Sequence, residues 1–288
     1  MEGFFSSLAG NAITVSGTGV RSIAAFDWAT QAILNKKAAA ANGDWSMGLP
    51  RARKVGLTYL SDGFAPVTHG PYTTPPAVDA DYAKVISLLY LNGSFSDTTG
   101  MIWASNGAAL WGDGPFEGVG RVENPDGNPG WFMEAPASTK WAFGLNDFTV
   151  ECFINLALMP SGYYYSPMGN WSSSGGWCFF VRPNGFLSFH NVGTVAVSAA
   201  DSIKLKKWQH IAYSRKGSIG RLFIGGRLVA VIDDTVNVTA QSGLRLLGNQ
   251  TSSDFWRGSV AMPRVTAGVG RYVSDFTQFV EAFPTDVS

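Results

Sequence analysis

The chain has 288 residues, 21 basic against 21 acidic, and no net formal charge. That balance, with no basic block, excludes a protein that binds nucleic acid or an anionic membrane by charge alone. Glycine (34) and proline (14) are abundant while charged residues make up only 15%, a composition of short strands joined by tight turns. No stretch reaches the roughly 18 apolar residues of a membrane-spanning helix. The N-terminus lacks the basic start and apolar run of a secretion signal, so neither membrane insertion nor export by that route is expected.

Residues 1–80 read differently from the rest. Asn11–Val20 alternates as a short extended piece. Ser22 is placed to cap a helix over Ile23–Ala41, with Ile23, Phe26, Thr30, Ile33 and Leu34 sharing a face and Asn42-Gly43 stopping it. Lys54–Leu60 is the one strand expected in the proline-rich remainder. Residues 1–80 therefore read as a mostly irregular arm with one helix, too poor in regular structure for its own core, and suited to docking or oligomerisation.

From Asp81 the pattern becomes regular. Val85–Leu91 is a continuous apolar strand, and Trp103–Trp111 and Gly130–Met133 are weaker strands around a Gly/Asp/Pro loop. In Asp147–Leu156, Phe148, Val150, Cys152 and Ile154 fall on one face. Trp177–Val181 and Phe186–His190 form a hairpin across Asn184-Gly185, and Val192–Val197 follows. The stretch Trp208–Asp233 is a meander whose Gly225-Gly226 pair marks a tight turn. Leu244–Gly248 and Trp256–Val265 complete the set. A meander buries too little surface alone, so a second sheet must cover it. The expected fold is all-β, an antiparallel two-sheet β-sandwich of jelly-roll type over residues 81–288.

Catalytic chemistry is hard to place on this chain. Retaining glycosidases need two carboxylates about 5–5.5 Å apart on one face. None of the six glutamates begins a Glu-x-Asp-x-x-Glu pattern, and adjacent Asp233 and Asp234 point to opposite faces. His69, His190 and His210 have no carboxylate or cysteine at ligand spacing, so His210 reads as structural and no enzyme is expected. Cys152 and Cys178 read as buried small hydrophobes. The sequons at Asn92, Asn170, Asn237 and Asn249 read as chance in a Ser/Thr-rich chain. One Gly/Ser-rich connection gathers Tyr163, Tyr164, Tyr165, Asn170, Trp171 and Trp177. Three tyrosines beside Ser-Gly cannot all point inward, so an exposed aromatic patch is expected, suited either to glycan contact or to a subunit interface.

Five segments in order resemble the laminin-G-like domains of the concanavalin A-like lectin superfamily, in the form common in tailed-bacteriophage virion proteins. They are Asp81–Gly93 with Asp97-Thr-Thr-Gly100, Phe143–Ile154, Trp208–Arg215, Leu222–Gly226, and Phe255–Val265 with Gly268-Val-Gly-Arg271-Tyr272-Val-Ser-Asp-Phe276. Gly225 departs from the family's usual aspartate, and Cys152-Phe153 from its alanine and tryptophan. The resemblance implies a non-enzymatic structural protein of the virion: a capsid decoration or head fibre, or a tail component. A receptor-binding tail-fibre lectin is the second reading and a polysaccharide depolymerase the third. Implied partners are other virion proteins, host surface glycans and further copies of the chain, a trimer among them. No cofactor is required. Calcium is the one ion the resemblance brings in, with Asp113, Asp126, Asp201 and Asp254 as candidate donors.

Overall fold

The computed structural model describes residues 79–285 apart from 108–109, 173–174, 240–241, 252–254 and 280, and before them seven strands and residue 30. The chain divides into two compact units, Met1–Ala80 with Phe279–Ser288, and Asp81–Gln278. The sequence expectation had carried the sandwich through to Ser288.

The first unit contains β1 (Phe4–Ser7), β2 (Ala12–Gly17), β3 (Ser22–Asp27), β4 (Ile33–Ala38), β5 (Trp45–Pro50), β6 (Lys54–Leu60) and β7 (Val67–Thr73). They form two antiparallel sheets, ordered β1-β2-β5 and β4-β3-β6-β7. This corrects two expectations: the arm is not mostly irregular, and the helix over Ile23–Ala41 does not form. Its first half is β3, paired with β4 and β6. The alternation was present, since Ile23 and Ala25 are both buried. A helix with one apolar stripe needs a docking surface, whereas antiparallel pairing satisfies the backbone within the unit and overrides alanine's helical preference.

The second unit holds β8 (Val85–Leu88), β9 (Ala104–Asn106), β10 (Leu110–Asp113), β11 (Gly120–Asn124), β12 (Phe132–Ala135), β13 (Phe148–Leu156), β14 (Met168–Gly169) and β15 (Trp177–Val181). It continues with β16 (Leu187–Asn191), β17 (Thr194–Val197), β18 (Trp208–Lys216), β19 (Ile219–Ile224), β20 (Arg227–Asp233), β21 (Leu244–Leu246) and β22 (Gly258–Ala267). The larger sheet runs β10-β11-β22-β13-β18-β19-β20, with β8 also on β22. The smaller runs β17-β16-β15-β14-β21-β12-β9. The two sheets form the expected antiparallel sandwich. Strand β11 falls where the sequence reading placed only a loop.

Aromatic side chains from both sheets fill the core. Phe189 of the smaller sheet stacks on Tyr213 of the larger at 3.8 Å, and Phe143 stacks on Phe148 at 4.3 Å. Each such ring removes about 150–250 Å² from water and dominates the burial energy. The hydroxyl of Tyr213 donates to Asp234 Oδ2 at 2.6 Å, and Asn191 Nδ2 donates to the same carboxylate at 3.2 Å. Asp234 thereby ties β16 to β18, while Asp233 beside it is exposed. Gly220 lies under this tyrosine, where an added Cβ would run into Tyr213 Oη. The Gly225-Gly226 turn has φ of +57° and +80°, the left-handed values a two-glycine turn supplies.

Candidate functional site

The first constellation lies on the outer face of the larger sheet. Strand β13 sits between β22 and β18. Its alternation turns Val150, Cys152 and Ile154 into the core and Glu151 outward. Arg264 Nε of β22 donates to Glu151 Oε1 at 2.8 Å, and His210 Nε2 of β18 meets Glu151 Oε2 at 2.9 Å. Tyr272 Oη donates to Oε2 at 2.8 Å. Residues after Gly268 lie across these strands. Arg271 N donates to Thr149 Oγ1, Tyr272 N to Ser214 Oγ, and Phe276 N to Gly226 O. Tyr272 stacks on Phe276 at 3.9 Å. Gly226 admits this segment, because a Cβ there would meet Phe276 O.

Glu151, His210 and Arg264 are buried, and Tyr272 is partly buried beside them. Burial alone would raise the Glu151 pKa, but Arg264, the His210 hydrogen bond and charge, and Arg271 outweigh it and hold the pKa down at about 2. Burial and the Glu151 charge push the Tyr272 hydroxyl well above its ordinary range. A carboxylate, an imidazole and a phenol together resemble catalytic equipment. Here His210, Arg264 and Tyr272 all bond to the one carboxylate of Glu151, which joins β13, β18, β22 and the segment after Gly268.

The second constellation is built by the connection between β13 and β14. Tyr165 exchanges backbone hydrogen bonds with Val181 at 2.8–2.9 Å, so the tyrosine run is extended at this point. Extended backbone alternates. Tyr163 and Tyr165 line an open cleft of about 410 Å³ together with Leu158, Phe255, Gly127 and Arg257. Tyr163 is 71% exposed. Tyr164 points the other way, beneath the Arg182 guanidinium at 5.1 Å and beside Phe180 at 5.8 Å. Trp171 meets the same group through His190 at 5.9 Å. Arg182 is fully engaged there, with Nη2 bonded to His190 Nε2 and Nε donating to Ser188 Oγ, each at 2.9 Å.

The six residues expected in one exposed patch therefore separate. Tyr163 and Tyr165 enter the cleft, and Tyr164 and Trp171 belong to the neighbouring outer face of the smaller sheet. Asn170 and Trp177 are corrected to scaffold: both are completely buried. Asn170 Oδ1 accepts from Trp177 N at 2.9 Å, and the Trp177 ring stacks with Phe143 and Phe189 in the core. Trp177 alternates in phase with Phe179 and Val181, so its inward direction was legible in the sequence. Phe255 and Arg257 were missed, because only the fold brings the start of β22 to the tyrosines.

The described calcium candidates, Asp113, Asp126 and Asp201, form no cluster of three. Among the described residues no three His, Cys, Asp or Glu side chains gather. Asp201 pairs with Lys204 at 2.6 Å, Asp113 and Asp126 lie in β10 and a separate turn, and Asp254 lies outside the described residues. Cys152 and Cys178 are both free and buried.

Residues 127–269 match a laminin-G-type family model described as the concanavalin A-like lectin/glucanases superfamily. The sandwich has a concanavalin A-like fold. Similar solved structures include domain 4 of AbnA, a GH43 extracellular arabinanase from Geobacillus stearothermophilus, in complex with arabinotriose. That likeness has 16% identity and a TM-score of 0.50, over 64% of this chain and 93% of that one. The binding domain of Paraclostridial Mosquitocidal Protein 1 is similar at 12% identity and TM-score 0.51, over 66% of this chain and 50% of that one. The botulinum neurotoxin serotype D binding domain is similar at 11% identity and TM-score 0.51, over 67% and 51%. The lectin-like chain spans about half the length of these two toxin domains. At such identities the likeness is one of fold. No curated protein sequence matches the chain.

Proposed function

We propose that this protein is a non-enzymatic component of a tailed-bacteriophage particle whose lectin-like sandwich binds glycans of the host surface. The observation that carries the binding reading is the cleft. Two tyrosine rings, a phenylalanine and a leucine offer apolar faces to sugar rings in an open cleft of about 410 Å³. Among the described residues its lining contains no carboxylate and no histidine, which supports binding without hydrolysis. The arabinanase domain of similar fold is seen in complex with arabinotriose. The phage setting rests on the resemblance of Gly268–Phe276 to the closing motif of virion proteins. Residues 1–80 then serve to join the sandwich to the particle, with a trimer as the assembly that matches common virion symmetry.

The test is a glycan array probed with the full chain and with its Tyr163→Ala/Tyr165→Ala variant. Binding by the parent and loss in the variant are expected. Absence of any glycan signal from the parent, or an unchanged profile in the variant, would contradict the reading.

A further inference from the structure

The cleft holds one charged group, Arg257, and its setting differs from that of every other arginine described above. Arg215, Arg264 and Arg271 donate to named acceptors in the scaffold. Arg182 donates to Ser188 and is bonded to His190. The Arg257 guanidinium meets no hydrogen-bond or ion-pair partner among the described residues, and it is partly open to solvent within the cleft.

The side chain is nevertheless held in place. Gly127 stands against its stem, where an added Cβ would lie 2.6 Å from Arg257 Nε and 2.8 Å from Cγ. Its Cζ lies 5.7 Å from the centre of the Tyr165 ring. Gly127 has a φ of +68°, so glycine suits this position twice over: by its backbone and by the room it leaves. Set between a glycine and an aromatic face, the guanidinium places a planar fork of donors in the lining of the cleft. Such a fork fits a carboxylate in two parallel hydrogen bonds, and the surrounding aromatics fit the ring that carries it. With no acid in the described lining, the pairing carboxylate must come from the ligand.

We infer that the cleft is selective for acidic sugars, with Arg257 binding the carboxylate of a glycan whose ring packs on Tyr163 and Tyr165. This rests on the glycan-binding reading above and adds the chemical class of the ligand. Arg257 is a specificity-determining residue here, with no part in the fold.

The experiment uses the full chain against hexuronate- and sialate-containing oligosaccharides, and against the same glycans with their carboxylates converted to methyl esters. The acids are expected to bind at least about tenfold more tightly than their esters. Arg257→Gln should remove that difference and leave the denaturation midpoint unchanged, and Arg257→Lys should restore part of it. Equal binding of acids and esters by the parent chain overturns the inference while leaving glycan binding intact. A preference that survives Arg257→Gln overturns it as well. Binding of no member overturns this inference and the function it rests on. The acid-to-ester comparison needs no variant, so a failure of Arg257→Gln to fold would leave the proposal testable.

Discussion

On the outer face of the larger sheet, His210, Arg264 and Tyr272 all bond to the buried Glu151 carboxylate. In the cleft, Tyr163 exposes its ring, and the Arg257 guanidinium beside Tyr165 has no hydrogen-bond or ion-pair partner among the described residues. Both regions combine aromatic rings with an arginine, and the first even has the carboxylate and imidazole of a hydrolase. Residue type therefore does not separate scaffold from site in this sandwich. What separates them is whether the hydrogen-bonding groups and ring faces are already occupied within the fold.

The comparison can be broken most severely from the scaffold side. Arg264→Ala should strip the charge partner from a buried carboxylate and destabilise the domain by about 3–5 kcal/mol. Trp177→Ala, which empties the centre of the core, should cost a similar amount, about 3–5 kcal/mol. Denaturant midpoints at constant slope report both. Either variant matching the parent in stability would remove the distinction between these residues and the cleft.

The next effect is on acid stability. Glu151 has a folded pKa of about 2 against an ordinary 4.5, so the folded state favours the ionised form. Its contribution is present above the unfolded pKa and is lost as pH falls from about 4.5 through 2, a total of roughly 3 kcal/mol at about 1.4 per unit. Stability measured from pH 6 to 2 should show this decline, and Glu151→Gln should flatten it on a less stable baseline. A smaller cost, about 1–3 kcal/mol, is expected for Gly226→Ala, which strains a positive-φ turn and pushes on the Phe276 carbonyl. Unchanged stability there would mean that the closing segment is not held by the turn.

The smallest expected change in stability comes from the site. Tyr163→Ala removes an exposed ring and should alter the midpoint by no more than about 0.5 kcal/mol.

Much of the sandwich was legible because its signals are local. The alternation of Phe148, Val150, Cys152 and Ile154 marked β13, and Asn184-Gly185 and Gly225-Gly226 marked their turns. The order of strands was not legible, because it depends on pairings between distant segments. Nothing local says that β13 lies between β22 and β18, and so nothing says that Arg264 and His210 share Glu151. Among the N-terminal strands, Lys54–Leu60 was read as the strand it is and Asn11–Val20 as extended, but β3 and β4 were missed for a related reason: β3 pairs with β6 across an alanine-rich stretch whose composition favours helix. In the site, the tyrosine run was visible as an aromatic concentration, and its alternation already implied that Tyr164 turns away from Tyr163 and Tyr165. Arg257 was invisible, because its meaning comes from Gly127 and Tyr165, which only the folded chain brings beside it.

The most direct test of the account measures two quantities on one variant. Full-length Tyr163→Ala and the parent chain would be compared by calorimetric titration with the strongest oligosaccharide from the array, and by chemical denaturation. The account predicts an affinity lower by about tenfold or more, with a coincident denaturation midpoint. Unchanged affinity with a lowered midpoint would contradict it, and would move Tyr163 from the binding site to the scaffold.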